Sequence, residues 1–569
     1  MRAPPSDELL VRKFRQILLW PVQLVPAHED EPIRKHWELL QRTDDHPWRE
    51  VDDEFTGDPR LFQERHYHEF VTFLPSVQRF LYGDELGRAR TGGYGESPMR
   101  VFRRRDVAQV RVWYANDAVP AVFDVAHIDL YFFYDLDIAI LVVEIFADDV
   151  RLSRTMDTLF CLGRAYPAFW NRDGSAGNCA RRVEWLGAAG TPLSASDYDR
   201  REEYLAYVCE HRSPRLASHW EYLLHPIASH HMNHGHGVRM RQLEYYRMPL
   251  LAYLAFDNPE QLTRPDFVRL TFGGLRGSSE ELPYSALYLR DFEQRYCYDR
   301  EWGCADGSES IRFLCCGHAF VTVGPASAQY FTDAETGLLG QFRHELFLLG
   351  LIAHFHKAAL LMLSDRLTDA ISRLDLDSPQ SVLAFRRSIR QSLETFLRFT
   401  HRYWFHEVSD QARARELFRM WTDHLGSDRL YAEVREEIQD MNEYLEADSI
   451  RRQTNTVVRL TVVTTFGLIG TVATGFLGMN LIAAADQPLT AKIGYFALVL
   501  IPTIILTFYT VAKSGRLAQF LEVLSDERAP AGAKLRAVVD VWRARRTERP
   551  AAPASPSGAA TESGALDTR

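Results

Sequence analysis

The sequence predicts an α+β domain followed by long helices and two C-terminal membrane-spanning helices. Runs of Val, Ile, Phe and Tyr between residues 107 and 146 are typical of neighbouring β-strands. From Gln341 onward, apolar residues recur at i, i+3 and i+4, the spacing of amphipathic helices. Two stretches without a charged residue, Leu460–Ala485 and Ile493–Ala512, are each long enough for a helix to cross the roughly 30 Å core of a bilayer.

Composition limits the classes of function. The chain has 569 residues, which is enough for several domains, and 66 Lys and Arg against 76 Asp and Glu, a net charge of −10. This balance argues against a nucleic-acid partner and is compatible with attracting cations. Seven Cys in so long a chain do not form a disulfide framework, so a reducing cytosol is expected for most of it. Asp7 and Glu8 precede only a brief apolar run, Ile17–Trp20, ended by Pro21, which predicts a first strand rather than a secretory signal.

Residues 1–340 are expected to form a cytosolic α/β domain. Strands are predicted at Val107–Tyr114, Ile128–Tyr134 and Ile138–Ile145. The last of these is too short to span a membrane and is therefore interpreted as a buried strand. Asp135–Asp137 supplies a turn before it, and Leu152–Ala168 follows at helical spacing. Residues 170–330 are predicted to be rich in loops.

Two groups of metal-ligating residue types lie in this loop-rich region. The first is a histidine segment with His225, His230, His231, His234 and His236. The second is a set of cysteines with one histidine: Cys297, Cys304, Cys315, Cys316 and His318. Neither has the paired spacing of a zinc site, so surface or packing roles and buried reduced thiols are expected. Gly273–Gly277 lacks the Gly-Lys-Ser/Thr ending of a phosphate loop and predicts a turn. With no catalytic triad either, the chain is not expected to be an enzyme.

Residues 341–456 are predicted to be a helical region that ends in a stalk. Helices are expected at His344–Leu374, Val382–Trp404, Arg413–Trp421 and Leu430–Leu445. The last leads without a break into the first uncharged stretch. Its acidic side chains are Glu433, Glu437 and Asp440 on one face, and Glu436 and Glu443 seven residues apart. An ordinary solvated helix face explains them most simply.

The first span, about residues 457–477, is uneven around its axis. At 100° per residue, one narrow stripe holds the small, hydroxyl-bearing and branched residues Val457, Leu460, Thr464, Leu468, Thr471 and Gly475. Such a stripe indicates contact with protein or water rather than lipid. On this evidence alone, packing against another helix is the simpler interpretation.

The triplet Gly478-Met479-Asn480 closes the first span, and a short hairpin that contains Asp486 leads to the second span, about residues 493–512. A triplet at this position, after a long charged helix and before a second span, resembles the CorA family of divalent-cation channels. Ile469 stands where that family usually has a Pro, and Leu477 where an aromatic residue usually precedes the Gly.

The resemblance implies a funnel-shaped homopentamer in which five copies of the first span line one pore. Family positions that line the pore correspond here to Thr454, Val457, Leu460, Leu468, Thr471, Gly475 and Asn480. Gly478, Met479 and Asn480 would form an outer selectivity filter, where Asn480 binds Mg²⁺ through its water shell because Mg²⁺ dehydrates reluctantly. Asp486 would capture ions at the mouth. The family's behaviour also implies a second role for the stalk acids, which would bind the transported ion and hold the pore shut.

Function and orientation follow as expectations. Arg451, Arg452 and Arg459 flank the first span and Lys513 and Arg516 follow the second, so both termini are expected in the cytoplasm of a multi-pass protein of the cell (inner) membrane. Residues 514–548 are expected to be an amphipathic tail, and 549–569 disordered. Passive transport of Mg²⁺, or of Co²⁺ or Ni²⁺, without a cofactor is the leading hypothesis. A proton-coupled zinc transporter and a non-conducting membrane-anchored sensor remain as alternatives.

Overall fold

The computed structural model describes residues 9–26, 35–42, 46–51, 64–83, 98–115, 118–167, 169–229, 238–244, 247–273, 282–303, 310–375, 378–478 and 488–505. The chain divides into two compact units, Met1–Asn442 and Glu443–Arg569. The sequence-based boundaries at residues 340 and 456 differ from this division, because the helices after residue 340 pack on the sheet as part of the first unit.

The first unit is a mixed α+β structure. Its strands are β1 (Leu10–Pro26), β2 (Trp48–Glu50), β3 (Met99–Arg104), β4 (Gln109–Trp113), β5 (Ala121–Phe133), β6 (Ile138–Arg151), β7 (Arg182–Leu186), β8 (Pro192–Ala195), β9 (Ala228–Ser229), β10 (Val238–Gln242), β11 (Leu250–Phe256), β12 (Cys297–Glu301), β13 (Ile311–Cys316) and β14 (Ala319–Pro325). These strands form a single sheet with the main order β12-β13-β14-β11-β1-β6-β5-β4-β7-β8.

Helices pack around this sheet and continue beyond it. They are α1 (Glu38–Arg42), α2 (Glu64–Thr72), α3 (Pro75–Tyr82), α4 (Leu152–Cys161), α5 (Arg201–His211), α6 (Ser218–Leu224), α7 (Arg264–Phe272), α8 (Phe292–Tyr296), α9 (Gln329–Thr332), α10 (Leu338–Gln341), α11 (Phe347–Ser372), α12 (Pro379–Arg402), α13 (Ala412–Leu425), α14 (Ser427–Gly478) and α15 (Leu489–Ile505). A π-helical turn, Phe342–Leu346, joins α10 to α11.

Strand β1 is the centre of the sheet and explains the position of Pro21. The strand pairs with β6 along almost its whole length, while its other side is shared by β11 up to Leu18 and by β10 from Val22. The amide of Leu19 donates to Pro249 on that shared side, so the nitrogen of Pro21, two residues further on, points into the gap between β11 and β10. The sheet therefore loses no hydrogen bond at Pro21, although proline has no N–H to donate. The strand continues beyond Pro21, where the sequence predicted that it would end.

Several helices contact the sheet. Helices α4 and α11 contact β1 and β6, α6 contacts β7, β8 and β9, and α7 and α13 contact β13. A β-carbon added to Gly350 of α11 would lie 2.5 Å from the ring of Trp421 of α13, so a glycine allows these two helices to approach closely. Helix α11 is buried along most of its length, which makes it the core helix of this unit.

Some of the sequence predictions for the first unit are confirmed, and others are wrong. The strands around residues 107–146 and the turn at Asp135–Asp137 are confirmed by β4, β5 and β6. The expectation of loops at 170–330 is wrong for the described residues, where strands β7–β14 and helices α5–α8 lie. These strands are short, and β11 is buried at every position, so it lacks the alternation that marks a half-exposed strand.

A buried carboxylate connects the centre of the sheet to the helices. Glu144 of β6 is 1% exposed and forms ion pairs with Arg15 of β1 at 2.8 Å and with Arg343 of the π-helical turn at 3.0 Å. Its other oxygen lies 3.4 Å from His127 of β5. Burial alone raises the pKa of Glu144, but the charges of His127, Arg343 and Arg15 outweigh burial and hold the pKa below its usual range.

We expect Glu144→Gln to lower the free energy of unfolding by about 3 kcal/mol near pH 7, because it leaves two arginines with a neutral partner in a buried site. Since the folded-state pKa of Glu144 is lowered, its contribution is present above the carboxylate's ordinary pKa and is lost as the pH falls through the lowered value. Chemical denaturation at pH 7 and at pH 4 measures both effects. The control is Asp149→Asn in the exposed pair with Arg12, which should leave the unfolding midpoint unchanged.

Candidate ion-conduction site

The second unit contains a pair of apolar helices that pack through a glycine. A β-carbon added to Gly470 of α14 would lie 2.5 Å from Cγ2 and 3.9 Å from Cβ of Thr503 on α15. Val462, which the sequence places on the same side of α14, is 5% exposed. This side of α14 is therefore the face that contacts α15, and the glycine lets the two backbones come close.

The stripe predicted from the sequence lies on the opposite side of α14. Its described members are all exposed in the single chain: Thr454, Val457, Leu460, Thr464, Leu468, Thr471 and Gly475. Leu460 is 64% exposed and Leu468 is 65% exposed. A β-carbon added to Gly467, Gly475 or Gly478 would meet nothing within 4 Å. The stripe is thus not the surface on which the two helices of this unit pack.

The threonines of the stripe share one hydrogen-bonding pattern. The hydroxyl of Thr464 donates to the carbonyl of Leu460 at 2.8 Å, and that of Thr471 to the carbonyl of Gly467 at 2.9 Å. A hydroxyl has a single proton, so each of these oxygens presents only its lone pairs outward. The outer side of the stripe therefore combines apolar side chains with hydrogen-bond acceptors.

Part of the predicted filter is described. Gly478 is the last residue of α14 and is exposed. Met479, Asn480 and Asp486 lie outside the described residues, as do residues 506–512 of the second predicted span. Helix α15 presents large apolar side chains outward: Ile493, Phe496, Leu498, Ile501 and Ile505.

Among the described residues, the helix that is long and apolar enough to cross a membrane by length and composition is Leu338–Ser372, which comprises α10, the π-helical turn and α11. Its most apolar window is 89% buried inside the protein, as is typical of a core helix. Helix α15 is apolar, but its described part, Leu489–Ile505, is shorter than the 18 residues that this test requires. These findings do not establish the two C-terminal spans, which stay a prediction from the sequence.

The stalk acids occupy the solvent side of α14. Val434 and Ile438 are each 1% exposed, whereas the acidic side chains around them are exposed: Glu433, Glu436, Glu437 and Asp440, followed by Glu443 in the second unit. Glu433 forms an ion pair with Arg429 at 2.9 Å. Partial burial raises the pKa of Glu437, and the negative charge of Glu433 raises it further. Two of these carboxylates are thus close enough to repel each other, a repulsion that a bound cation would relieve.

The described part of the histidine and cysteine groups contains no metal site. Within the described ranges, no group of three or more His, Cys, Asp or Glu is arranged to hold a metal ion. Cys315 and Cys316 are buried and free, in line with the expected reduced thiols, and Cys297 is partly buried. The ring of His318 contacts the sulfur of Cys316 at 3.7 Å and bonds the carbonyl of Phe272. His230, His231, His234, His236 and Cys304 lie outside the described residues.

A second site, which no sequence motif indicates, lies in the first unit. The π-helical turn lines a polar cavity of about 540 Å³ together with α2 and the first turn of α13. Burial raises the pKa of Glu345 in this turn to about 7, and the nearby charge of Glu69 contributes. A π-helical turn is itself a feature that often occurs at functional sites. The sequence could not indicate this cavity, because its walls come from distant parts of the chain.

Comparison with known proteins adds no assignment: no family model, curated protein or solved structure matches this chain.

We expect Gly470→Cys combined with Thr503→Cys, in a background without other cysteines, to form a disulfide within one chain. The Cβ separation of 3.9 Å at this pair matches the usual value of about 3.8 Å for disulfides. Electrophoresis without reductant would show faster migration and no change in oligomeric mass. The matched control is Gly467→Cys with Thr503→Cys, since Gly467 faces away from α15. Equal cross-linking in both variants would contradict the packing face described here.

Proposed function

We propose that this protein is a membrane channel that conducts hydrated divalent cations, Mg²⁺ first among them, along their electrochemical gradient. The observation that carries the proposal is the position of the stripe on α14. Its hydroxyl-bearing and small residues face away from α15 and are exposed in the single chain, while Gly470 occupies the packing face. Threonines and glycines along one side of an uncharged stretch suit contact with protein or water, and a pore formed by further copies supplies both.

The proposed assembly is a homopentamer in which five α14 helices surround the pore. This number comes from the resemblance to the CorA family, together with the filter assigned to Gly478, Met479 and Asn480. Asn480 and backbone carbonyls near Gly478 would accept hydrogen bonds from the water shell of the ion. No protein cofactor is required, and the transported ion is the only ligand in this mechanism.

The chemistry of the stripe suits a hydrated cation. The outward oxygens of Thr464 and Thr471 offer acceptors, and the water molecules around a cation point their protons outward. Val457, Leu460 and Leu468 would form apolar rings that close the pore when it loses water. The membrane potential supplies the driving force, ~2.3 kcal/mol per charge per 100 mV and therefore about twice that for a divalent ion.

The exposed apolar side chains of α15 fit a lipid environment. They are large aliphatic and aromatic residues, whereas the stripe on α14 combines its apolar side chains with hydroxyls and glycines. We infer a multi-pass protein of the cell (inner) membrane with both termini in the cytoplasm, in agreement with the distribution of Lys and Arg. The partners in this proposal are further copies of the chain, the bilayer and divalent ions.

We expect the purified protein in liposomes to take up Mg²⁺ when the membrane potential is negative inside, and Asn480→Ala to reduce the initial rate at least tenfold, because the filter loses its amide ring. The flux is measured with an entrapped Mg²⁺ indicator, in parallel with Co²⁺, Ni²⁺ and Zn²⁺ and with or without a pH step. Thr503→Ser, a conservative change at the packing face, is the control that should retain flux.

The other outcomes of this flux assay would support a different function or a different filter. Zinc uptake that depends on the pH step would support the proton-coupled carrier instead. Absence of flux in every condition, with a pentamer still present by mass, would support the non-conducting sensor. A channel that conducts normally as Asn480→Ala would refute the assigned filter.

We further expect Glu433→Gln with Glu437→Gln to weaken inhibition by Mg²⁺ on the cytoplasmic side. The repulsion between these carboxylates favours a bound cation, and the charge count of a site sets its affinity for cations. The half-inhibitory concentration should rise by on the order of tenfold. Glu446→Gln serves as the control, because Glu446 lies on the opposite side of α14 by helical spacing. An unchanged half-inhibitory concentration would indicate an ordinary solvated helix face.

A further inference from the structure

Another cavity of the first unit, the α3–α12 cavity, lies where α3 meets residues 401–407 at the end of α12 and just after it. Its volume is about 450 Å³, which is enough for a small organic molecule. The charged and hydroxyl-bearing side chains used below line it from both sides: Ser76, Arg79, His401, Arg402, His406 and Glu407. Among the described lining residues, two arginines and two histidines thus share the cavity with one carboxylate.

The apolar part of the cavity wall consists of aromatic rings that hold one another in place. Phe80 and Tyr403 are 2% and 1% exposed, and their ring centroids lie 5.5 Å apart. The ring of Phe405 packs on Phe80 at 5.6 Å, and Trp404 stacks on Tyr431 at 4.6 Å. Because these rings belong to a closely packed cluster, this part of the wall is rigid.

Hydrogen bonds fix the two sides of the cavity relative to each other. The amide of Leu74, the residue before α3, donates to the carbonyl of Val408 at 2.9 Å. The hydroxyl of Ser409 donates to the carbonyl of Thr72 in the same region. The segment after α12 is therefore tied to the segment before α3, and the cavity between them is formed in advance of any ligand.

The positive charge of Arg402 is not neutralised by a carboxylate. Its guanidinium carbon lies 5.5 Å from the ring centroid of Tyr403 and 5.9 Å from that of Tyr134. Aromatic faces attract a cation but leave its charge in place. The carboxylate of Asp135, next to Tyr134 in the chain, pairs with Arg398 at 3.4 Å. Arg402 is thus held in position with its charge available to a ligand.

Arg79 brings a second guanidinium to the cavity from α3. It is exposed and, within the part of the chain that the structure describes, forms no ion pair with Glu407 or another carboxylate. Ser76 precedes it by three residues, so both side chains lie on one face of α3. Leu74 gives the first turn of α3 no side-chain cap, so the amides of this turn keep the partial positive charge of a helix N-terminus.

A phosphate group fits these donors. Each guanidinium presents a planar fork of N–H groups that matches the oxygens of a carboxylate or a phosphate. A phosphate monoester carries three terminal oxygens and a charge of about −1.5 to −2 near pH 7. Two arginines therefore favour it over a carboxylate, which has a single charge.

We propose that the α3–α12 cavity binds a phosphate monoester, with the phosphate group between Arg79 and Arg402. The hydroxyl of Ser76 donates a hydrogen bond to the same group, and the organic part of the ester lies along Trp404 and Phe405. The site belongs to the first unit and is independent of ion conduction.

Isothermal titration calorimetry of the full-length protein in detergent, without phosphate in the buffer, tests this site. Inorganic phosphate supplies the group alone, glycerol 3-phosphate supplies a soluble ester, and dihexanoyl phosphatidic acid presents the group as a lipid headgroup. We expect saturable binding of an ester that Arg79→Gln or Arg402→Gln weakens about tenfold or more, because each change removes charge-assisted hydrogen bonds. Arg390→Gln is the matched control, since Arg390 is an exposed arginine of α12 outside the cavity. It should bind as the native chain does.

Two further variants separate the charge of the site from its geometry. Arg402→Lys keeps a cation over the aromatic rings but lacks the planar fork, so binding should weaken while the fold is retained. Glu407→Gln removes a negative charge from the cavity and should tighten binding about threefold. Because Arg79 is exposed, Arg79→Gln is informative even if Arg402→Gln folds poorly.

The outcomes distinguish the source of the phosphate group. Tighter binding of glycerol 3-phosphate identifies a soluble ester, and tighter binding of dihexanoyl phosphatidic acid identifies a lipid headgroup. Either result supports the proposal if Arg79→Gln weakens it. The proposal is overturned if neither ester binds saturably, or if Arg79→Gln and Arg402→Lys both bind as the native chain does.

Discussion

The pairing of Glu144 with Arg15 and Arg343 is the interaction on which the architecture of the first unit depends. An isolated carboxylate at the centre of the sheet would cost several kcal/mol, so both arginines must remain in place. Arg15 fixes the neighbouring strand β1, and Arg343 fixes the π-helical turn before α11. The same turn directs His344 and Glu345 towards α2. The ion pairs of Glu144 therefore position both α11 and the cavity beside the π-helical turn.

The two units use apolar surface in opposite ways. In the first unit, α11 is buried by the sheet, α12 and α13, although its composition would suit a membrane. In the second unit, α14 and α15 contact each other around Gly470, and the described residues of the stripe on α14 are exposed. Both helices expose large aliphatic side chains, but the stripe of α14 also carries acceptor oxygens and glycines. That difference supports a pore on one side and lipid on the other as the proposed surroundings.

Local patterns predicted the strands around residues 107–146 but not those between residues 170 and 330. The turn at Asp135–Asp137 was predictable because two apolar runs flank it, and β6 because its residues are β-branched. Strand β11 is a seven-residue apolar run without polar alternation, and by itself such a run does not distinguish a buried strand from a buried helix segment. A proline such as Pro21 predicts the end of a strand, and only the neighbours of β1 show that its nitrogen faces a gap. The stripe on α14 was predictable from helical geometry alone.

The sequence by itself determined the periodic features: which segments are strands or helices, which stretches lack charge, and which residues share the stripe. These properties depend on neighbours along the chain, so they can be read without a fold. Tertiary structure decided which side of α14 meets α15 and which carboxylate lies near Glu69. Both depend on residues distant in sequence that folding brings together, here Gly470 with Thr503 and Glu69 with Glu345, and no local spacing encodes such pairs.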